Sequence, residues 1–391
     1  MTRAASRVSR VRRGLARLAA AGVLAATIVI ALAGSALAGR SVPHGFFAMN
    51  WDQEIAFRST SATRTAQWGK MAAAGVESVR VPFFWGNAQP VNDGSTNYAW
   101  TDQAVTLAAE HGLELVPEVT QAPEWARKYP DKPYSPPSED GAYTRYLVDL
   151  IERYGPNGSF WLSHPTLPKI PVRALQIWNE PAEYYQWSVP KNKDWAPPYG
   201  KLLRKSYRAI KQADPSVRVV LAGLANASPQ YLEHLYEKGS IRGYFDVAAQ
   251  HPYTAHKHGV LTLAKQFRAV MKKHGDGGKQ LWVTELGLPA SKGKSSSNSD
   301  LQTTDKGMAS FLTTSYRDLM KNRHKLKIDH VFFYTWASVY EGFIFKWTGL
   351  YRYNHDHGQD MFQQKPAYKA YLNVARDGEG CSKTSTGGCA R

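Results

Sequence analysis

The sequence predicts a single α/β domain with a (β/α)8 barrel fold. Apolar segments with the length of buried strands alternate with amphipathic helical segments, and the alternation continues for eight rounds without an internal repeat. The 391 residues are enough for such a barrel, which needs roughly 250 residues plus its loops. An open sheet that binds a dinucleotide would have a G-x-G-x-x-G motif after its first strand, and this sequence has none there.

The first half of the chain supplies four strands, each predicted from a run of apolar residues. Helices follow where apolar residues recur at helical spacing, and three of them end at Gly75, Gly112 and Gly155-Pro156, because glycine and proline readily stop a helix. The predicted strands are 45–50, 76–85, 113–120 and 172–180, and the predicted helices are 63–74, 100–111 and 142–154.

The second half repeats the pattern, and Asp214-Pro215 and Gly239 end two of its helices. The predicted strands are 217–223, 245–253, 280–287 and 328–338. The predicted helices are 198–213, 229–238, 260–274, 304–323 and 365–374. We therefore place the barrel between residues 39 and 375.

Residues 1–38 have the pattern of a secretory signal peptide. An arginine-rich start precedes an apolar stretch at 18–34 and an A-x-A cleavage motif at 36–38. We expect a secreted, extracellular protein that begins at Gly39 and keeps no stable membrane span. An uncleaved N-terminal anchor is the alternative.

Residues 376–391 are predicted to form a flexible C-terminal tail. Both cysteines of the sequence, Cys381 and Cys389, lie in it. In an exported protein they could close a small disulfide loop.

The charge of the chain is strongly positive. Its formal value is +17, and it falls to +11 without the six arginines of the predicted signal peptide. A basic secreted protein can favour anionic polymers or surfaces, and a generally solvated surface with excess lysine is the equal alternative. The positive residues form no long block, and we expect a monomer that binds no nucleic acid.

Functional side chains of a parallel barrel lie at the C-terminal ends of its strands. In this sequence those ends are polar or aromatic, whereas the strand bodies are apolar. The residues are Asn50, Trp51, Arg80, Glu118, Asn179, Glu180, His251, Tyr253, Glu285 and Trp336. Glu180 follows an apolar run and precedes Pro181, which cannot continue a ladder, and Glu285 ends a strand of the same kind. We interpret Glu180 and Glu285 as one catalytic pair.

This arrangement resembles glycoside hydrolase clan A, the retaining barrel glycosidases that use two glutamates. The likeness rests on Asn179-Glu180-Pro181 after the fourth strand and Glu285 at the end of the seventh, and it covers nearly all of residues 43–375. Within the clan the sequence is most similar to families 5 and 39.

The resemblance implies double displacement with Glu180 as the acid/base and Glu285 as the nucleophile. The two carboxyl groups should then lie about 5 to 5.5 Å apart. Burial and nearby negative charge should raise the pKa of Glu180, and Arg80 should keep Glu285 ionised.

Four more residues have roles that the resemblance implies. Asn179 would donate to the 2-hydroxyl of the sugar, and Tyr253 would donate to the nucleophile. His251 would support the two carboxylates, and Trp336 would form a platform under the sugar at the cleavage point.

Residues in the loops after the strands are further candidates. The aromatic side chains that could line a glycan cleft are Trp85, Trp125, Tyr184, Trp187 and Trp347, and the acidic ones that could contact hydroxyls are Glu118, Glu183 and Glu341. The His-x-His segments at 256–258 and 355–357 lack companion ligands at metal-site spacing, so we predict solvated loops there, with no metal and no cofactor.

We therefore expect a glycosidase that hydrolyses a polysaccharide or oligosaccharide. The long loops 123–137 and 184–198 favour endo action. A transglycosylase with the same two glutamates and a catalytically silent glycan-binding barrel are the alternatives, although a binding protein would need neither an acid nor a nucleophile. Glucan, mannan, xylan, galactan and an anionic exopolysaccharide all fit the sequence.

Overall fold

Eight parallel strands close into a barrel in a computed structural model of the protein, which describes residues 39–295, 299–339, 342–356 and 359–381. Each strand pairs with the next along the chain, and the eighth pairs with the first. The strands are β1 (Phe47–Asn50), β2 (Ser78–Phe84), β3 (Glu114–Thr120), β4 (Ala174–Ile177), β5 (Arg218–Val220), β6 (Val247–Gln250), β7 (Gln280–Leu286) and β8 (Ile328–Phe333). The predicted fold class is confirmed.

Helices cover the outside of the barrel. The main ones are Ser61–Ala73, Ala99–Glu110, Asp140–Tyr154, Ala196–Ala213, Ser228–His234, Gly259–Lys273, Asp305–Leu326 and Pro366–Glu379. Shorter helical segments are Gln53–Arg58, Trp85–Ala88, Glu124–Ala126, Ser159–Ser163, Leu235–Gly239 and Ile344–Trp347. Local signals fix several starts: the hydroxyls of Thr60 and Thr304 accept from backbone N–H groups of the first turn, and Pro366 occupies a first-turn position.

The strands are apolar on both faces because helices cover one face and the barrel interior the other. A separate cluster of small and large apolar side chains fills that interior: Ala48, Val116, Ala174, Val220, Val247, Ala249, Trp282 and Phe332. Strand side chains alternate with a period of two, so the residues two positions later point the same way. Those residues include Asn50, Glu118, Gln176 and His251, all buried. The apolar filling is therefore followed by a polar layer at the C-terminal rim.

Four predicted strands end at least three residues earlier than expected, namely β4, β5, β6 and β8, and the early ends of β4 and β8 affect the site. β4 stops at Ile177, because Trp178 and Glu180 adopt left-handed backbone angles, with φ values of 67° and 40°. β8 stops at Phe333, and Ala337–Ser338 forms a separate strand, β9. These two breaks decide which side chains reach the rim.

A small second sheet was not predicted. It consists of β9, β10 (Tyr351–Asp356) and β11 (Gln359–Gln364), with the hairpin β10–β11 next to β9. The prediction of a solvated loop at 355–357 is wrong for His355 and Asp356, which lie in β10. Asp360 accepts from the Nδ1 of His355 and the hydroxyl of Tyr353, both at 2.8 Å, and so ties the hairpin together.

The structure describes the C-terminal end of the predicted barrel but not the predicted signal peptide. The last helix continues to Glu379, past the predicted barrel end at residue 375. Its buried side includes Val374, Gly378 and Glu379, so the packed part of the helix also extends beyond residue 375. The predicted signal peptide and Cys389 lie outside the described residues, so cleavage and the disulfide stay predictions. None of the described helices has the length and apolar character that crossing a membrane requires.

Candidate active site

Arg80 lies at the centre of the polar rim. Its Nε donates to Gln176 at 2.9 Å, and its Nη1 donates to Asn50 at 2.7 Å and to Glu285 at 2.9 Å. Its Nη2 donates to Asn179 at 2.8 Å and pairs with Glu118 at 2.8 Å. Burial alone would lower the pKa of Arg80, but the two carboxylates raise it, so the guanidinium is a fixed positive charge.

Glu285 receives two strong donors. Besides Arg80, the hydroxyl of Tyr253 donates to its Oε2 at 2.5 Å. The register between β7 and β8 shifts between Val283 and Leu286, which is where Glu285 lies, and such irregularities re-aim side chains at a barrel rim. Both donors suit a negatively charged oxygen, which is what a nucleophile presents.

Glu180 is placed by a sharp turn after β4. Its N–H donates to the carbonyl of Gly223 at 3.1 Å, and its Oε1 lies 2.7 Å from Nδ1 of His251. The hydroxyl of Tyr185 donates to its Oε2 at 3.3 Å. Left-handed angles at non-glycine residues are uncommon and concentrate at functional sites, where the surrounding packing enforces them.

The carboxyl group of Glu180 is suited to hold a proton near neutral pH. Burial raises its pKa to about 7, and the negative charge of Glu183 adds to the shift against the opposing charge of Arg80. Burial lowers the pKa of His251 to about 3, so this ring is neutral. The expected elevation of the Glu180 pKa is therefore present.

The two carboxyl groups face each other at short range. One oxygen of Glu180, one of Glu285 and a ring nitrogen of His251 all lie within 4.8 Å of one another. Ligand atoms at this spacing could contact one ion, but the adjacent charge of Arg80 opposes a cation there. A carboxyl group that holds a proton, beside one that accepts hydrogen bonds from Arg80 and Tyr253, can serve as an acid beside a nucleophile.

A cavity of about 190 Å³ opens above this pair. It combines carboxylates and amides with aromatic walls, as carbohydrate sites do. Its lining includes Asn50, Trp51, Asp52, Arg80, Phe84, Glu118, Tyr134, Asn179, Glu180, Tyr185, Asn226, Tyr253, Glu285, Tyr334, Phe343 and Phe345. Most strand-end residues predicted from the sequence are thus brought together, and His251 lies directly behind the pair.

Trp336 lies in the core and not at the cavity. It is fully buried, its Nε1 donates to Gln67 at 3.0 Å, and its ring packs against Tyr351 and Tyr368. It does not line the cavity, so the predicted platform under the sugar is wrong. Because β8 ends at Phe333, Tyr334 takes the rim position instead.

The predicted loop tryptophans also lie elsewhere. Trp85 and Trp187 are buried in aromatic clusters, with Trp187 4.9 Å from the ring of Trp178. Trp125 and Trp347 line other grooves and not the cavity. Their prediction as cleft residues is therefore wrong for this cavity, because large apolar rings after strand ends pack under the loops as readily as above the site.

Sequence reasoning missed several residues of the site, namely Gln176 beneath the cavity and some of the residues that line it. Gln176 had a signal, since it is a lone amide inside the apolar run of β4, and it orients Arg80. Tyr185, Phe343 and Tyr334 had none, because loop positions carry no periodicity that predicts their direction. Of the acidic candidates, Glu118 lines the cavity and Glu183 accepts from Asn226 at 2.7 Å behind it, while Glu341 lies outside the described residues.

Solved structures similar to this chain are clan A glycosidases. A family 39 glycoside hydrolase from Bacteroides cellulosilyticus aligns with a TM-score of 0.60 at 18% identity, over 86% of this chain and 64% of its own. A monomeric β-xylosidase from Caulobacter crescentus aligns at 0.58 and 18% identity, over 86% and 69%. A family 5 mannosidase from Rhizomucor miehei aligns at 0.54 and 12% identity, over 87% and 94%.

This chain therefore spans less than two thirds of the length of the family 39 protein, and identities this low establish the fold alone. These folds, together with the family match described next, confirm the predicted clan and its likeness to families 5 and 39. None of the curated protein sequences compared with this chain matches it.

The sequence itself matches one family description. The model of glycosyl hydrolase family 53 matches residues 50–325, which is well over half of the chain and includes both rim glutamates. The protein is a glycoside hydrolase, and it belongs to glycosyl hydrolase family 53.

Proposed function

We propose that the protein is a secreted, retaining β-glycoside hydrolase that cleaves internal bonds of a polysaccharide or oligosaccharide. The observation that carries this proposal is the spacing of Glu180 and Glu285, since a carboxyl oxygen of one lies within 4.8 Å of a carboxyl oxygen of the other. Retaining enzymes place the carboxyl groups about 5 to 5.5 Å apart, whereas inverting enzymes leave roughly 6.5 to 9.5 Å for a water molecule.

In the first step an oxygen of Glu285 attacks the anomeric carbon and forms a glycosyl ester. The bond to the leaving oxygen breaks as Glu180 gives that oxygen its proton. Arg80 and Tyr253 orient Glu285 for this attack. Asn179 accepts from Arg80 through Oδ1, so its amide N–H groups remain as donors for a sugar hydroxyl.

In the second step Glu180 takes a proton from water, and the hydroxide attacks the anomeric carbon from the side that the leaving group vacated. Glu285 leaves as a carboxylate, so the product keeps the β configuration. Formation of the ester removes the negative charge of Glu285, which lowers the pKa of Glu180. Glu180 therefore stays ionised after it has given up its proton, and it can act as the base. His251 is neutral, and a proton on its Nδ1 would hold Glu180 Oε1 while Oε2 carries the transferred proton.

Cleavage within a chain requires binding on both sides of the broken bond. Tyr185 and Phe343 line the cavity and are about half or more exposed, at 50% and 62%, so they offer aromatic faces at its mouth. These faces support endo action. Secretion rests on the signal pattern of residues 1–38, and N-terminal sequencing of the exported protein tests it.

Two variants test the roles of the glutamates. We expect Glu285→Gln to abolish turnover of aryl β-glycosides with the fold intact, and Glu180→Ala to lose far more activity on poor leaving groups than on activated ones. Glu124→Gln is the matched control, because it removes the same charge from an exposed position outside the cavity. Near-full activity of Glu285→Gln, or equal losses of Glu180→Ala on both kinds of substrate, would contradict the assignment.

Two product measurements complete the test. Anomer-resolved NMR of the first products should show the β anomer, and an α product would exclude double displacement. A panel of glucan, mannan, xylan, galactan and anionic polysaccharides, followed by mass spectrometry, identifies the sugar. Oligosaccharide ladders indicate endo action, and release of single sugars from the start would contradict it.

A further inference from the structure

The cavity is strongly acidic although the chain as a whole is basic. Four carboxylates line it: Asp52, Glu118, Glu180 and Glu285. Arg80 is the one cationic side chain among its described lining residues. Double displacement uses two of the carboxylates and leaves Asp52 and Glu118 without a part in the reaction.

Arg80 offsets part of this negative charge, but it has no unpaired N–H group to offer a ligand. Each of its three guanidinium nitrogens already has a protein partner within 2.9 Å. An arginine has five N–H groups, and here they meet five partners. A sugar carboxylate that entered the cavity would therefore displace one of these contacts or remain unpaired beside Asp52, Glu118 and Glu285.

Glu118 occupies a distinctive position among those groups. It lies on the inward face of β3, two residues before the strand ends, between Arg80 on β2 and Asn179 after β4, and the strand register places it beside Gln176. Its Oε2 pairs with Arg80 at 2.8 Å, and its 9% exposed fraction opens on the cavity. The fixed guanidinium orients it, so it presents acceptor oxygens at a defined place next to the catalytic pair.

We propose that Glu118 is a specificity-determining residue that accepts hydrogen bonds from the sugar at the cleavage point, so that the enzyme takes neutral sugars there and rejects uronic acids. This inference rests on the proposed function. A carboxylate is an acceptor-only group that suits hydroxyls and repels another carboxylate. Burial is the main reason that the pKa of Glu118 is raised to about 7 against the opposing charge of Arg80, and Glu285 and Glu180 add smaller contributions, so its acceptor-only carboxylate form is present above about pH 7.

The test compares substrates that differ at one group. Aryl β-glucoside with aryl β-glucuronide, and aryl β-galactoside with aryl β-galacturonide, exchange a CH2OH for a carboxylate. We expect the wild type to favour the neutral member of whichever pair it cleaves. Glu118→Gln should reduce that preference about 10- to 100-fold in kcat/KM, the size of one interaction with a charged group. Glu124→Gln should leave the preference unchanged.

The ratio of the two substrates separates recognition from mere disturbance. A shift of Arg80 in Glu118→Gln would slow both members of a pair alike, whereas lost recognition changes their ratio. If the variant folds poorly or the aryl glycosides turn over too slowly, calorimetry on Glu285→Gln, with neutral oligosaccharides and the same oligosaccharides oxidised at C6, measures the wild-type preference directly.

Each outcome decides one of the two proposals. A wild type that prefers the uronide, or an unchanged preference in Glu118→Gln, overturns the role of Glu118 while leaving hydrolysis intact. A wild type that cleaves no β-glycoside or polysaccharide overturns the proposed function itself.

Discussion

Gly223→Ala tests how tightly the acid is positioned. Gly223 is the residue whose carbonyl accepts from the N–H of Glu180, and it lies against the ring of His251. A Cβ at this position would lie 2.6 Å from Cδ2 of His251 and closer still to Nε2, whereas an ordinary contact is at least 3.4 Å. The ring is fully buried and cannot swing into solvent.

The size of the effect follows from that overlap. Nε2 of His251 must move by about 1.5 Å to reach an ordinary contact distance. A displacement of about 1 Å can already reduce kcat by about 100-fold when it misplaces a catalytic group. The overpacking should also cost about 1–3 kcal/mol of unfolding free energy. Both effects have one cause, because the same ring holds Glu180 at 2.7 Å.

Steady-state kinetics on an aryl β-glycoside and urea unfolding measure the two losses. Gly278→Ala is the control, since a Cβ there meets no atom within 4 Å. In a His251→Ala background the stability loss from Gly223→Ala should nearly vanish, because the obstructing ring is gone. Additive losses in that double variant, or normal kcat in Gly223→Ala, would refute the reasoning.

Three other variants extend the test. Glu183→Gln should move the alkaline limb of the kcat/KM profile to lower pH, because removing a negative charge lowers the pKa of Glu180 and the acid loses its proton sooner; an unmoved limb would contradict this. Tyr253→Phe should lower kcat about 10- to 100-fold, since it deletes the donor 2.5 Å from the nucleophile, and activity at the wild-type level would count against that contact. Trp336→Phe should cost about 1–3 kcal/mol by stranding the buried Gln67 oxygen while KM stays the same, and a raised KM would restore Trp336 as a sugar platform.

The sequence determined the barrel and singled out the two glutamates that meet at the cavity. Continuous apolar runs of strand length and helical runs with a period of 3.6 are local properties, so eight rounds of them predict eight strands and their covering helices. Glu180 and Glu285 could be paired because parallel strands end on one rim, whatever their distance along the chain.

Only the tertiary structure decided which side chains reach the cavity. One-residue changes of register reverse the direction of a strand side chain, and no local signal marks them. The early end of β8 moves Trp336 into the core and brings Tyr334 to the rim, and the irregularity at β7 brings Glu285 to face Glu180. The charge of the cavity also depends on the tertiary structure. The N–H groups of Arg80 all bind protein side chains, and the acidic groups come together only where five strand ends meet.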